Sequence, residues 1–213
     1  WEQYTVHQFY DYLRHGFVIK TAQVTEQEFD RVFVPHLEKG EDIVYIACSG
    51  GLSATVKAAD KLAKEKYAKK YPNCHIYCID SLCSCLGQGA MLIKAADMRD
   101  EGKDAKTIAD YIQTNRLRWN QACAIDTLTY LKRAGRVKAA KALFGNLFGV
   151  KPLLISDASG VNFAAEKAKG RRNALIRCAE MIHEQGIDTE HQICYIAHAE
   201  CSQEDVELFK NKI

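Results

Sequence analysis

The stretch Ile43-Val44-Tyr45-Ile46-Ala47-Cys48-Ser49-Gly50-Gly51-Leu52-Ser53-Ala54-Thr55-Val56 does most to limit what this chain can fold into. Its run of apolar and aromatic residues, entered from Lys39-Gly40-Glu41-Asp42, predicts a short strand covered on both faces, the habit of a parallel sheet. The strand stops in a polar loop. Gly50 and Gly51 carry no Cβ, so the backbone there can turn sharply and bring its N–H groups close to a ligand. Ser53 is placed as the N-cap of a helix to Lys70, in which Val56, Ala59, Leu62, Ala63 and Tyr67 recur at helical spacing and lysines gather toward the C-terminal end. A strand, a glycine loop with hydroxyls and a helix N-terminus together make a receptor for a small anion.

The flanking sequence extends this unit into an α/β pattern. Tyr4, Phe9, Tyr12 and Leu13 give an apolar face to a helix over 1–15 that Gly16 ends, and Lys20 to Val24 is an extended link. Thr25-Glu26-Gln27-Glu28 fits a capping box, opening a helix to about Lys39 that presents Phe29, Val32, Phe33 and Leu37. After Tyr71-Pro72-Asn73 a second strand over 74–79 completes a βαβ unit with a right-handed crossover. Helices over 86–102, with Gly87 and Gly89 allowing close packing, and 105–118, capped by Asp104, follow.

The character changes after Asn120. A short strand over 123–125 leads to a helical turn opened by Asp126 or Thr127 and broken at Gly135. A small-residue helix over 138–149 is followed by a hairpin of 152–156 and 161–168 around Asp157-Ala158-Ser159-Gly160. A basic amphipathic helix over 170–186, a last strand over 191–199 and a last helix from Ser202 complete the pattern. The expected architecture is α/β: a parallel-sheet βαβ lobe over 1–119, then an α+β lobe with an antiparallel sheet over 120–213, and a ligand at the lobe junction. Entry at Trp1, without an initiator Met and already in a helix, suggests that residues upstream are missing.

Composition narrows the function classes. A chain of 213 residues buries about 70% of its unfolded surface, enough for a globular fold without staples. The formal charge of +2 is spread over helix faces, which points away from nucleic acid. No apolar run approaches the ~20 residues of a membrane span and no signal-peptide pattern opens the chain, so a cytoplasmic protein without stable membrane insertion is expected. The nine cysteines are an odd number for a disulfide framework and are expected to stay reduced. Cys74 and Cys78 fall on one strand, ~13 Å apart, too far to share a zinc ion with Cys83 and Cys85. No metal and no cofactor is expected.

Different chemistries compete for the central loop. Ala47-Cys48-Ser49-Gly50-Gly51 is one residue away from the G-x-S-x-G nucleophile elbow, and the order Ser49, Asp126 or Asp157, His198 is that of α/β-hydrolases, so a serine acyl hydrolase using Ser49 is one reading. In the plainer one, Ser49 and Ser53 hydrogen-bond loop backbone or ligand. Dinucleotide binding lacks G-x-G-x-x-G, and phosphate binding of the Walker type lacks Gly-Lys-Ser/Thr. Gly87-x-Gly89 reads as helix packing. Arg171 and Arg172, opening a helix after Gly170, have the fork that grips an anion, though exposed arginines are commonly solvated. His198 at a strand end is by default structural.

Taken in order, Lys20-Thr21-Ala22-Gln23, Ser49 to Thr55, Ile79-Asp80-Ser81, Asp126 to Val137, Val150 to Leu153 and Glu166 to Arg172 resemble the DegV family of bacterial fatty-acid-binding proteins. Lys20-Thr21-Ala22-Gln23 is similar to K-T-S-Q-P, Ser49 to Thr55 to S-S-G-L-S-G-T, and Asp126 to Val137 to D-T-L-E-Y-L-K-K-G-G-R-I. Ile79-Asp80-Ser81 followed by Leu86-Gly87-x-Gly89, Val150-Lys151-Pro152-Leu153, and Glu166 to Arg172 continue the set. The resemblance implies a two-lobed carrier, not an enzyme, that binds one long-chain fatty acid and presents it to a separate fatty-acid kinase. It further implies a carboxylate site at Thr21 and the loop Ser49, Gly50, Gly51, Leu52 and Ser53, with Arg171 and His198 contributing. The tail candidates are Phe144, Leu147, Phe148, Leu154 and Ile155; each buried CH₂ is worth ~0.8 kcal/mol. The chain departs from the family pattern at Ala22 (Ser), Val24 (Pro), Gly50 (Ser) and Lys169 (Arg). The N-terminal D-S-S/T strand and C-terminal H-T-G-P-G segment of the family are also absent, so a fragment, or a lipid-free interaction module, is a further expectation.

Overall fold

The computed structural model describes residues 3–127, 129–136 and 149–213. Its elements are α1 (Val6–Arg14), α2 (Glu26–Leu37), β1 (Ile43–Ala47), α3 (Thr55–Leu62), a π-helical turn (Ala63–Tyr67) leading into α4 (Ala68–Lys70), β2 (Ile76–Asp80), α5 (Cys85–Asp100), α6 (Ala105–Asn115), β3 (Ala122–Ala124), α7 (Thr129–Ala134), β4 (Val150–Ser156), β5 (Asn162–Lys169), α8 (Arg171–Gln185) and α9 (Gln203–Lys210). The fold is mixed α/β, with a parallel sheet β1-β2 and an antiparallel sheet in the order β3-β4-β5.

These elements form two compact units. One comprises Ala22–Gln121 and Ser156–Val161; the other comprises Trp1–Thr21, Ala122–Ile155 and Asn162–Ile213. The sequence reading places one boundary near residue 120, whereas here the units interleave along the chain. Residues 1–21 group with the antiparallel unit because Arg14 and His7 both reach Glu200, each at 2.9 Å. The hairpin turn 156–161 groups with the parallel unit, held there in part by Gln121, whose amide donates to Ser156 Oγ.

In the parallel unit the sheet is covered on both faces, as its apolar strands require. Val44, Ile46, Tyr77 and Ile79 point to one side, where they pack with Met91, Met98, Ile108 and Ile112 of α5 and α6. Ile43, Tyr45, Ile76 and Cys78 point to the other, against Phe29, Phe33 and Leu37 of α2, Ala59 of α3 and Tyr67. The register Ala47↔Asp80 sets the carboxyl ends of β1 and β2 side by side. In the antiparallel unit Leu153, Ala122, Ala124, Ile155 and Ala165 lie on the sheet face against Ala174, Cys178 and Met181 of α8, while Leu154 and Ala164, which alternate with them, are buried on the opposite face.

Several local expectations change. The last strand, over 191–199, is not one: after a 3-10 turn at Thr189–His191 the chain runs exposed and without a ladder through 198. Thr25 accepts from Glu28 N at 3.3 Å, but the Glu28 carboxylate turns to Arg31 instead of closing the capping box. Val32, expected on the apolar face of α2, is exposed. Gly87 is a close-packing glycine, since a Cβ there would come 2.9 Å from both Cys83 Cβ and Gln121 Oε1, whereas Gly89 meets only Leu86 of its own helix, at 3.8 Å. The helix expected over 138–149, with Phe144, Leu147 and Phe148, lies outside the described residues.

Candidate functional site

The loop between β1 and α3 is built by its own hydrogen bonds. Ser49 N donates to Cys83 O at 2.8 Å, Gly50 N to Asp80 Oδ1 at 3.0 Å and Gly51 N to Ser49 Oγ at 3.1 Å, while Leu52 N and Ser53 N both donate to Ser49 O at 2.9 Å. Each amide that the sequence offers to an anion thus already has an acceptor within the fold. Asp80 is the hub: its Oδ1 also accepts from Leu82 N at 3.0 Å, and its carbonyl accepts from Arg116 Nη1 at 2.9 Å. A Cβ on Gly50 would stand 2.5 Å from Asp80 Oδ2, so the glycine makes room for this carboxylate.

Ser49 is fully buried. The turn Asp157–Gly160 closes over it, and a Cβ on Gly160 would fall 2.1 Å from Ser49 Oγ. Gly51 packs on the same turn: its Cβ would meet Val161 Cγ2 at 2.8 Å and Ser159 O at 3.1 Å. The Asp157 carboxylate accepts from Ser159 Oγ, Ser159 N and Val161 N, and these bonds hold its pKa below the usual range. A nucleophile elbow exposes its serine at the top of the sheet. Here the serine is covered, and this Asp is committed to its own turn.

The polar groups at the head of α3 are hydroxyls, of a half-buried Ser53 and a buried Thr55. Ser53 is not the N-cap, which is Ala54; it stands one residue earlier, where its Oγ donates to Thr55 Oγ1 at 2.9 Å and accepts from Thr55 N at 3.3 Å. Thr55 Oγ1 also accepts from Val24 N at 3.5 Å. With its lone pairs engaged in this way, the Thr55 hydroxyl is left as a donor, next to the positive end of α3.

Arg171 and His198 belong to the antiparallel unit. Arg171 Nε donates to Asp205 Oδ2 at 2.6 Å, Nη2 reaches Cys201 Sγ at 3.0 Å, and Nη1 lies 3.4 Å from Asp126 Oδ1. The Asp205 carboxylate raises the guanidinium pKa further. Asp126 is held low by Lys151, 2.6 Å away, and by Arg171. His198 Nδ1 accepts from Cys201 N at 3.1 Å, so Cys201 links the two candidates. Arg171 is therefore already occupied by carboxylates. Thr21 is exposed; Leu154 is buried and Ile155 half-buried, on opposite faces of β4, and only Ile155 packs with the α8 cluster.

Sequence reading missed Thr55 and Asp80. Both were signalled: Thr55 is two residues beyond Ser53, and in a parallel βαβ unit the carboxyl end of the second strand lies beside the loop leaving the first. Among the described residues no group of three or more His, Cys, Asp or Glu is arranged to hold a metal, and no helix is long and apolar enough to cross a membrane.

A family model described as an uncharacterised protein, DegV family, matches residues 2–213. The DegV domain-containing protein CPE0026 of Clostridium perfringens is 34% identical over 207 residues, covering 96% of this chain and 70% of that protein. The crystal structure of the fatty acid binding DegV family protein SAG1342 from Streptococcus agalactiae superposes with a TM-score of 0.74 at 26% identity, over 87% of this chain and 64% of that one. The Streptococcus pneumoniae Fatty Acid Kinase B3 protein, loaded with linoleic acid, shares the fold at a TM-score of 0.72 and 19% identity, over 84% and 62% of the respective chains. This chain thus spans about two thirds of the length of the solved proteins it matches.

Proposed function

This chain belongs to the DegV family, and from that premise we propose that it binds a long-chain fatty acid without chemistry of its own and presents it to a separate fatty-acid kinase in the cytoplasm. The carboxylate is received at the head of α3, the acyl chain by apolar residues of the antiparallel unit. The observation that carries this reading is the Ser53–Thr55 hydroxyl pair, with a Thr55 proton left to donate at a helix N-terminus. Ser49, Gly50, Gly51 and Leu52 serve as the scaffold that fixes this pair; their amides are already bonded to Cys83, Asp80 and Ser49. Thr21, Arg171 and His198 are carried over from the family resemblance alone. The fatty acid binding of the Streptococcus agalactiae relative supports the ligand class.

Native mass spectrometry of the purified protein, followed by extraction, tests the proposal. A stoichiometric fatty acid is expected, with affinity for oleate lowered roughly tenfold in Thr55→Val by loss of a hydrogen bond to a charged group, and by a smaller factor in Ser53→Ala, which removes the hydroxyl that orients Thr55. Failure to retain or take up any fatty acid would leave the lipid-free interaction module as the better reading. The buried Ser49 gives no support to the hydrolase reading, and a fluorophosphonate is expected to leave it unlabelled.

A further inference from the structure

Gln121 stands half-buried, immediately before β3, and its carboxamide joins two segments that are far apart in sequence. Oε1 accepts from Ser84 N at 3.1 Å, and Nε2 donates to Ser84 Oγ at 3.4 Å and to Ser156 Oγ. The strand register explains the reach to Ser156. Ala122 pairs with Ile155, so the next position along the antiparallel ladder sets Gln121 opposite Ser156. On the other side two local rules give way to the same amide. Ser84 is the N-cap residue of α5, yet its hydroxyl caps no amide of that helix. Gly87, in the first turn of α5, would place a Cβ 2.9 Å from Gln121 Oε1, so a larger residue there would crowd the carboxamide.

The two segments joined in this way are those that enclose Ser49. From one side Cys83 O accepts from Ser49 N at 2.8 Å, and from the other Gly160 lies over Ser49 Oγ. The turn is stiffened from within by Asp157, which gathers the amides of Ser159 and Val161, and it is brought close by the packing of Gly160 on Leu82 and of Val161 on Gly51. Apolar packing is non-directional, whereas hydrogen bonds fix orientation. The bonds of Gln121 therefore set the turn in register with segment 81–84. Ser49 in its turn places the hydroxyls at the head of α3: its carbonyl accepts from Ser53 N at 2.9 Å, and Ser53 Oγ donates to Thr55 Oγ1 at 2.9 Å.

We propose that Gln121 is a positioning residue for the head-group site: by tying Ser156 to Ser84 it holds Ser49 from both sides, and through Ser49 it fixes the hydroxyl pair that receives the carboxylate. It touches no ligand itself. The inference rests on the reading of Ser53 and Thr55 as that receptor. Its effect on a bound fatty acid runs through Thr55, which separates Gln121 from a residue that only stabilises the fold.

The test is a double-mutant cycle on oleate affinity, measured well below Tm, with amide hydrogen exchange as a second readout. Gln121→Met keeps the length of the side chain and removes its hydrogen bonds. Oleate affinity is expected to fall roughly fivefold, and exchange at the amides of Ser49, Leu52 and Ser53 to speed up. In a Thr55→Val background the same change is expected to cost less than about twofold, because the donor that Gln121 positions is gone. Ser156→Ala takes away only the acceptor on the turn; it is expected to act in the same direction and decides the matter if Gln121→Met does not fold. Affinity within about twofold of wild type in both variants would overturn the proposal, as would an equal loss with and without the Thr55 hydroxyl. If the wild type takes up no oleate, the head-group reading fails by itself, and exchange still decides the positioning: unchanged rates at Ser49 and Ser53 in Gln121→Met overturn it.

Discussion

Gly160 stands at φ +75°, a region that L side chains rarely adopt, and a methyl there would meet both Ser49 Oγ and, at 2.8 Å, the Leu82 Cα. Gly102 has a similar φ of +82° but nothing within 4 Å of a Cβ. Gly102→Ala is therefore expected to lose about 1–2 kcal/mol from the backbone alone, and Gly160→Ala about 2–4 kcal/mol, because overpacking adds to strain. Urea unfolding of the two variants separates these contributions. At Asp80, replacement by Ala orphans the amides of Gly50 and Leu82. A loss of about 2–3 kcal/mol is expected, with hydrogen exchange at those amides rising before the rest of the unit opens. The loop glycines were legible in the sequence as a sharp turn. Their cause was not, since Gly50 makes room for a carboxylate 30 residues away and Gly51 for a turn more distant still. A motif displays local backbone demands; which distant side chain fills the space is a property of the folded chain.

Among the elements, those whose signal is local came through best. The strand over 43–47, the cap at Asp104 accepting from Thr107 N at 2.7 Å, and the cap at Ser202 accepting from Asp205 N at 3.2 Å all stand where hydropathy and capping chemistry put them. The segment 192–198 carries a strand-like pattern, but a strand exists only when another pairs with it, and pairing is not written in its own residues. Its amides are expected to exchange rapidly, in contrast with the ladder of β1 and β2. The π-helical turn was hidden for a related reason: helical spacing reads almost the same across one inserted residue. This turn is fastened to α2 by Asp30, whose carboxyl is held below its ordinary range by Lys66 and by the Tyr67 hydroxyl. A carboxyl lowered on folding contributes stability above its unfolded pKa and loses it as the pH falls through the folded value. The Tm gap between wild type and Asp30→Asn should accordingly be open at neutral pH and close as the pH drops below about 4.

At the scale of the whole molecule, the chain passes from one unit to the other at 21/22, 121/122, 155/156 and 161/162. A boundary near 120 follows from composition, because strand-helix alternation does change there; the return of the 156–161 turn leaves no trace in composition. A chain ended at Gln121 keeps the parallel sheet and its helices but lacks the residues that close over Ser49. Such a fragment is expected to show faster hydrogen exchange at Gly50 and Gly51 than the full chain. If protection at those glycines is unchanged, the turn is not what orders the loop.

The six residues Ser156–Val161 are carried on the strands of one unit and belong by contact to the other. The units therefore cannot be inherited as exchangeable cassettes. A recombinant that took its parallel unit from one relative and its hairpin from another would join a loop to a turn that had never been selected together. Substitutions at Gly51, Gly160 and Val161 are expected to be tolerated only together, and a chimera of two relatives is expected to fold best when this turn moves with the loop that it covers.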